Sequence, residues 1–105
     1  MRIISGKLKG KTISFLKSSI KRPLKDSVKE SIFNIIIHSN LLNVKIRNSK
    51  ILDLYSGIGS FGLECISRGA ERITFVEKDK HAAEILKKNL INLGIKNNAT
   101  IIIDE

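Results

Sequence analysis

The run Lys50-Ile-Leu-Asp-Leu-Tyr-Ser-Gly-Ile-Gly-Ser-Phe-Gly62, followed by Ile73-Thr-Phe-Val-Glu77, constrains the fold more than any other part of the chain. An apolar strand runs into an acidic residue, Asp53, and then into a turn with Gly57, Gly59 and Gly62 spaced G-x-G-x-x-G. A second apolar strand ends on Glu77, twenty residues after Gly57. An α/β protein builds a crevice for a nucleoside-bearing ligand in this way. The glycines let the backbone approach the ligand, and the second-strand carboxylate accepts hydrogen bonds from ribose hydroxyls.

The glycine spacing alone is also met by a tight strand-to-helix turn that needs positive φ and nothing more. The flanking strands and the acidic partner at the expected distance favour a ligand. Asp53 narrows its chemistry. In a dinucleotide fingerprint the strand is apolar up to the first glycine, so that the helix N-terminus can meet a pyrophosphate. Here a carboxylate sits four residues before Gly57, where it would repel that group. It suits a cationic ligand such as S-adenosylmethionine, with its ammonium and sulfonium. Asp53-x-x-x-Gly57-x-Gly59 therefore reads as the first motif of a class I methyltransferase.

A chain of 105 residues with 42% hydrophobic content has room for one small, marginally stable domain. One cysteine excludes an intramolecular disulfide and makes no zinc site unaided, so no metal is expected. With neither a signal peptide nor an apolar run of transmembrane length, a cytoplasmic protein without membrane contact is expected. The net charge of +9 is unevenly placed. Residues 1–50 hold twelve Lys or Arg against Asp26 and Glu30, whereas the remainder holds seven against eight acidic residues. The basic half suggests a polyanionic partner. The alternative is a lysine-rich surface set by a coding bias that also favours Ile and Asn.

Residues 1–16, with Gly6 and Gly10, read as a basic β-hairpin, and 17–25 as a loop ending in Lys21-Arg22-Pro23. The proline delays helix until after it. Ser27-x-x-Glu30 is a candidate capping box, with Asp26 as the alternative N-cap. Val28, Ile32, Ile35 and Ile36 predict an amphipathic helix over 27–38. Beyond it, strands at 50–55, 72–77 and 99–103 alternate with helices at 60–68 and 79–93, the latter two stopped at Gly69 and Gly94. The order β-α-β-α-β is one mononucleotide-binding half of a doubly wound, Rossmann-like sheet. The expected division is a basic extension over 1–25 and a truncated Rossmann-like domain over 26–105. Cys65 reads as a small buried hydrophobe, and Asn89, Asn92, Asn97 and Asn98 as helix surface and turn. His38 and His81 take no role.

Together these segments resemble the bacterial 16S ribosomal RNA guanine-N2 methyltransferase family, RsmD type, over almost the whole chain. Met1-Arg-Ile-Ile-Ser-Gly-Lys-Leu-Lys-Gly10 is similar to that family's basic hairpin. Arg22-Pro23-x-x-Asp26-x-Val28-Lys29-Glu30-x-x-Phe33-Asn34 resembles its second signature, and Leu52-Asp53-Leu54-Tyr55-Ser56-Gly57-x-Gly59-x-x-Gly62-Leu63-Glu64 its cofactor loop. Ser67-Arg68-Gly69-Ala70 and Phe75-Val76-Glu77-Lys78-Asp79 complete the match. The resemblance implies S-adenosylmethionine as donor and a guanine of 16S ribosomal RNA, free or in the small ribosomal subunit, as acceptor. It implies cofactor contacts at Asp53, Tyr55, Gly57, Gly59, Gly62, Glu77, Lys78 and Asp104. Arg2, Lys7, Lys9 and Lys11 would meet RNA; Arg22, Asp26, Lys29 and Asn34 would line the entrance where substrate and cofactor meet. Asp26 and Glu30 alternatively only cap their helix, and Lys29 is alternatively a solvated face residue.

One departure stands out. Amino methyltransferases of this type carry an Asn/Asp-Pro-Pro-Tyr/Phe motif after the fourth strand, which orients the amine and stacks on the flipped base. The single proline here is Pro23, so no catalytic residue is assigned. A truncated or split reading frame is expected, its C-terminal half supplied by another chain if at all, with an open sheet edge and an uncovered apolar face. The competing expectations are a non-catalytic RNA- and cofactor-binding fragment and, against Asp53 and the basic N-terminus, a nicotinamide-dependent oxidoreductase fragment.

Overall fold

The computed structural model describes residues 1–14, 25–39, 45–54 and 56–104. Three parallel strands, β1 (Lys50–Leu54), β2 (Arg72–Val76) and β3 (Ala99–Ile102), stand in the order β1-β2-β3. The register pairs Asp53 with Phe75, and Phe75 with Ile101. Helix α1 (Asp26–His38) precedes the sheet, while α2 (Ser60–Ser67) and α3 (Lys80–Asn92) form its crossovers. The β-α-β-α-β order, and every strand and helix boundary after residue 50 to within a residue, are as the apolar periodicity requires. Asp79 caps α3 by accepting the His81 and Ala82 N–H groups.

Strand alternation sorts the sheet into two unequal faces. Ile73 and Phe75 are fully buried beneath the crossover helices, with Asp53 on the same face. Leu52, Leu54 and Ile102 alternate onto the opposite face and are exposed, Leu52 to 60%. No described element covers them. Helix α3 buries Ala82, Ala83, Leu86 and Leu90, as its spacing predicts, and the helix ends at Asn92, with Leu93 as its C-cap before Gly94.

Helix α1 departs from its sequence reading in two ways. Its N-cap is Lys25, with no side-chain cap, so neither the Ser27–Glu30 box nor Asp26 closes it; Asp26 is already the first helical residue. Its buried face is Lys29 and Phe33, while Val28 and Ile35 are exposed. An aliphatic period cannot reveal that the helix turns a lysine inward. Phe33 stacks on Phe61 of α2 at 4.8 Å between centroids, and the Arg68 guanidinium lies 4.4 Å over the Phe33 ring.

Lys29 is fully buried because it has an equally buried partner. Its ammonium lies 3.3 Å from the Glu64 carboxylate of α2 and donates to the Arg2 carbonyl at 3.0 Å and the Ser60 hydroxyl at 3.2 Å. Glu64 also accepts from the Ile4 N–H at 2.8 Å, the Ser5 N–H at 3.0 Å and Arg68 Nε at 2.8 Å. The N-terminal segment is thus clamped onto α1 and α2. It is a hairpin in topology only, with one antiparallel bridge, Arg2 to Thr12, and Ile3 and Ile13 turned into the core. Long strands do not form because Gly6 and Gly10 bend the chain at positive φ. The predicted stretch 17–24, with Arg22 and Pro23, and the hairpin's Phe15 lie outside the described residues.

Replacing Lys29 by methionine keeps an apolar stem but strips Glu64 of its buried ammonium. Lys29→Met should lower the unfolding free energy in urea titration by about 3–5 kcal/mol, the usual cost of breaking a buried pair from one side. A loss below about 1 kcal/mol, typical of an exposed pair, would show that the clamp carries no weight.

Candidate functional site

The carboxyl ends of β1 and β2 face the turn at Ser56–Gly59, the place where open α/β sheets bind ligands. The turn is fixed on both sides by backbone bonds. Ser56 N–H donates to the Val76 carbonyl at 3.1 Å, Gly59 N–H to the Ser56 carbonyl at 2.9 Å, and Leu63 N–H to the Gly59 carbonyl at 2.8 Å. Gly59 and Gly62 serve packing: a Cβ would meet Leu86 Cδ1 at 2.2 Å from Gly59, and Phe75 Cε1 at 2.3 Å from Gly62. Gly57 differs. At φ +57 its Cβ position meets nothing within 4 Å, so this bend borders open space.

Two carboxylates flank that bend. Glu77, at the end of β2, is buried, and its Oε1 accepts the Gly57 N–H at 2.7 Å while Oε2 accepts the Asp79 N–H at 2.9 Å. It holds the turn against the strand end. A carboxylate oxygen can accept more than one hydrogen bond, so this anchoring role is compatible with a ligand hydroxyl. Asp53 is the opposite case. Its Oδ2 is buried without a hydrogen-bond partner. Desolvation pushes the Asp53 carboxyl up to about 6; the Gly62 N–H opposes the rise and the nearby Glu77 charge adds to it. A desolvated carboxylate with one unpartnered oxygen in the glycine-rich segment suits a cation and disfavours a phosphate.

The structure brings Asp53, Gly57, Gly59, Gly62 and Glu77 together. Lys78 and Asp104 are exposed at the ends of β2 and β3, and Tyr55 lies outside the described residues. Of the expected RNA-facing residues, Arg2, Lys7, Lys9 and Lys11 are exposed on the hairpin, and Asn34 is exposed on α1. Asp26 accepts the Arg2 N–H at 3.4 Å. Lys29 corrects its sequence reading: an ammonium at 0% exposure lines no entrance and is no solvated face residue. Asn89 is a second correction, a buried residue rather than helix surface. Its Nδ2 donates to the Ser14 carbonyl at 3.1 Å and the Ile58 carbonyl at 3.2 Å, and its Oδ1 accepts the Ser14 N–H at 2.9 Å. The one signal in the sequence was its place between Leu86 and Leu90 on the apolar side of α3. Cys65 is buried as expected, its thiol pushed up to about 12 by desolvation and the charges of Asp53 and Glu64, against the pull of Arg68.

Two shallow clefts lie elsewhere. One of about 420 Å³ runs between α3 and β3, and one of about 270 Å³ sits at the amino ends of β1 and β2. Neither is lined by the glycine turn or by a carboxylate, and the second lies at the wrong end of the strands for a ligand of this fold. Among the described residues no cluster of His, Cys, Asp or Glu could hold a metal ion, and no helix is long and apolar enough to cross a membrane.

The family model described as conserved hypothetical protein 95 matches residues 1–105. The chain belongs to this family, the RsmD type that its motifs resemble. Among curated relatives, ribosomal RNA small subunit methyltransferase D of Haemophilus influenzae is 38% identical over 105 residues, covering 100% of this chain and 51% of the relative. The solved structure of yhhF from Escherichia coli matches with TM-score 0.81 at 30% identity, covering 100% of this chain and 52% of that one. The C-terminal domain of precorrin-6Y C5,15-methyltransferase from Rhodobacter capsulatus shares the fold, with TM-score 0.66 at 17% identity over 79% of this chain and 41% of its own. The fold is thus the N-terminal part of a class I methyltransferase sheet. The chain spans about half the length of the curated relatives it matches.

The raised Asp53 value has a sign that can be tested. The folded chain binds this proton more tightly than the unfolded chain, whose carboxyl titrates near 3.8. Ionised Asp53 therefore subtracts stability, increasingly as pH rises from the unfolded to the folded value and fully above it. Asp53→Asn should melt higher than the parent at about pH 8, and that advantage should vanish near pH 4. Equal melting at both would mean that the carboxylate is solvated.

Proposed function

We propose that this chain forms the donor-binding half of an S-adenosylmethionine-dependent methyltransferase that modifies a guanine N2 of 16S ribosomal RNA. The carrying observation is Asp53, whose buried Oδ2 has no hydrogen-bond partner and lies against Gly62 in the glycine-rich segment of a class I methyltransferase sheet. The relatives named as small subunit ribosomal RNA methyltransferases support the reaction class. The residues present fit the donor: Asp53 offers an anionic oxygen to a cationic group, Gly57 leaves open space, and Glu77 offers carboxylate oxygens able to accept from a ribose diol. When bound, the donor supplies an electrophilic methyl group. The chain's own task would be to hold it with Asp53, the Gly57 bend and Glu77, which binds that bend.

The exposed Lys7, Lys9 and Lys11, together with Arg2, form the surface for a phosphate backbone. Residues 1–25 are the RNA-contacting extension, and those from 26 onward belong to the Rossmann-like domain. The chain holds one proline, Pro23. The Asn/Asp-Pro-Pro-Tyr/Phe run that would orient the guanine amine therefore lies outside this sequence. The role of this chain is to grip donor and RNA, and it contributes no acceptor-site motif of its own.

Calorimetry with S-adenosylmethionine and NAD decides the cofactor. The first should bind, and Asp53→Asn should weaken it by about 1.5–3 kcal/mol, the loss of a charge-assisted interaction. Affinity should rise with pH as Asp53 ionises through about 6. Preferential binding of NAD would overturn the donor assignment. RNA affinity should fall steeply with salt. Neutralising Lys7, Lys9 and Lys11 should flatten that slope by about 0.7–0.9 for each phosphate no longer neutralised by the protein. A salt-independent constant would remove the RNA reading.

A further inference from the structure

We propose that the N-terminal hairpin sets the shape of the glycine loop through two buried side chains, Lys29 of α1 and Asn89 of α3. Each bonds to the hairpin and to the loop at once. Lys29 Nζ donates to the Arg2 carbonyl and to the hydroxyl of Ser60. Asn89 Nδ2 donates to the Ser14 carbonyl and to the carbonyl of Ile58. Arg2 and Ser14 stand near the two ends of the hairpin, and Ile58 and Ser60 are the neighbours of Gly59 on either side. Both ends of the hairpin are thereby joined to both flanks of the turn, although hairpin and turn lie far apart in sequence.

Neither side chain faces solvent, and each is nearly or fully buried. Buried polar groups with discrete partners do not stretch gradually; a displaced hairpin must either drag the loop or leave donors and carbonyls unpaired. The hairpin is held internally by bonds such as Ile3 N–H to the Lys11 carbonyl and Ile13 N–H to the Met1 carbonyl, and it is tied to α2 at Glu64 and Ser67, so a displacement at α2 moves it as a unit. The functional consequence rests on the reading of the loop as a donor site. A polyanion that shifts the hairpin changes donor affinity, and bound donor changes the affinity for that polyanion by the same factor. Lys29 and Asn89 are positioning residues that touch neither ligand.

Gly6 offers a wedge remote from the loop. A Cβ there would lie 1.9 Å from the Ser67 carbonyl oxygen of α2, lifting the hairpin. Gly10 is the matched control, with φ +84 against +88 at Gly6 but nothing within 4 Å of its Cβ position. Site-resolved amide exchange of the full 105-residue chain, corrected for global stability, reads the outcome without any ligand. Gly6→Ala should speed exchange at Gly57 and Gly59 at least about tenfold relative to Gly10→Ala. Equal exchange in the two variants would overturn the proposal.

Should Gly6→Ala not fold, Ser60→Ala probes the same link from the loop end. It should speed exchange at the Ile3 and Ile13 amides of the hairpin about threefold or more, and no change there would overturn the coupling. Calorimetry with S-adenosylmethionine separates the two readings. A tenfold weaker affinity in Gly6→Ala than in Gly10→Ala supports the coupling. Responsive loop exchange in a chain that does not bind S-adenosylmethionine upholds the coupling and removes the donor assignment. Donor binding with unresponsive loop exchange removes the coupling alone.

Discussion

The Glu64 carboxylate organises the N-terminal half of the molecule. It is fully buried, yet four groups converge on it: the Lys29 ammonium, the Arg68 guanidinium and the backbone amides of Ile4 and Ser5. A buried anion is tolerable only when this well surrounded, because its desolvation otherwise costs several kcal/mol. That requirement fixes where α1 and the hairpin must sit. Remove a partner and the buried carboxylate loses part of its compensation, which is why these elements cannot slide along α2 as purely apolar surfaces would. The same cluster reaches Ser60 at the start of α2, so the basic hairpin and the glycine turn share one anchor.

The glycine turn treats its polar groups in the reverse way. Glu77 is held by backbone amides and stabilises the bend, whereas Asp53 is left with an unpartnered oxygen and a raised affinity for a proton. A fold optimised for stability alone would have filled the Asp53 position with an apolar residue. Unsatisfied buried polarity at the carboxyl end of a parallel strand is what a site for a cation needs, since the ligand supplies the missing charge.

The parts legible in the sequence are those set by local geometry. The strand-turn-helix units after residue 50 follow from apolar periods of 2 and 3.6 with glycines at the breaks, and the structure reproduces them. Helix α1 exists where its period places it, and Ile32 and Ile36 of that period are half-buried, but the centre of the buried face is rotated away from Val28 and Ile35. The aliphatic residues Val28 and Ile35 point outward, and Lys29 and Phe33 point in. Asn89 escapes a sequence reading for the same reason. Both Lys29 and Asn89 are polar residues whose partners come from segments far away in the sequence, so a window of neighbouring residues can place Asn89 on the apolar side of α3 but cannot show what either bonds to. The capping box does not form because helix α1 begins before Ser27, at Asp26.

By itself the sequence determined the order of elements, the acidic and glycine residues at the strand ends, and the family to which the chain belongs. Those are consequences of chain direction, side-chain alternation and the conformational freedom of glycine, all of which act over a few residues. Only the tertiary structure decided which charges are surface and which are structural. Lys7 and Lys29 are alike in sequence, yet one stays in water while the other is sealed beside Glu64. The physical reason is that the cost of burying a charge depends on what surrounds it in space. Here those surroundings are assembled from the hairpin, α1 and α2 together.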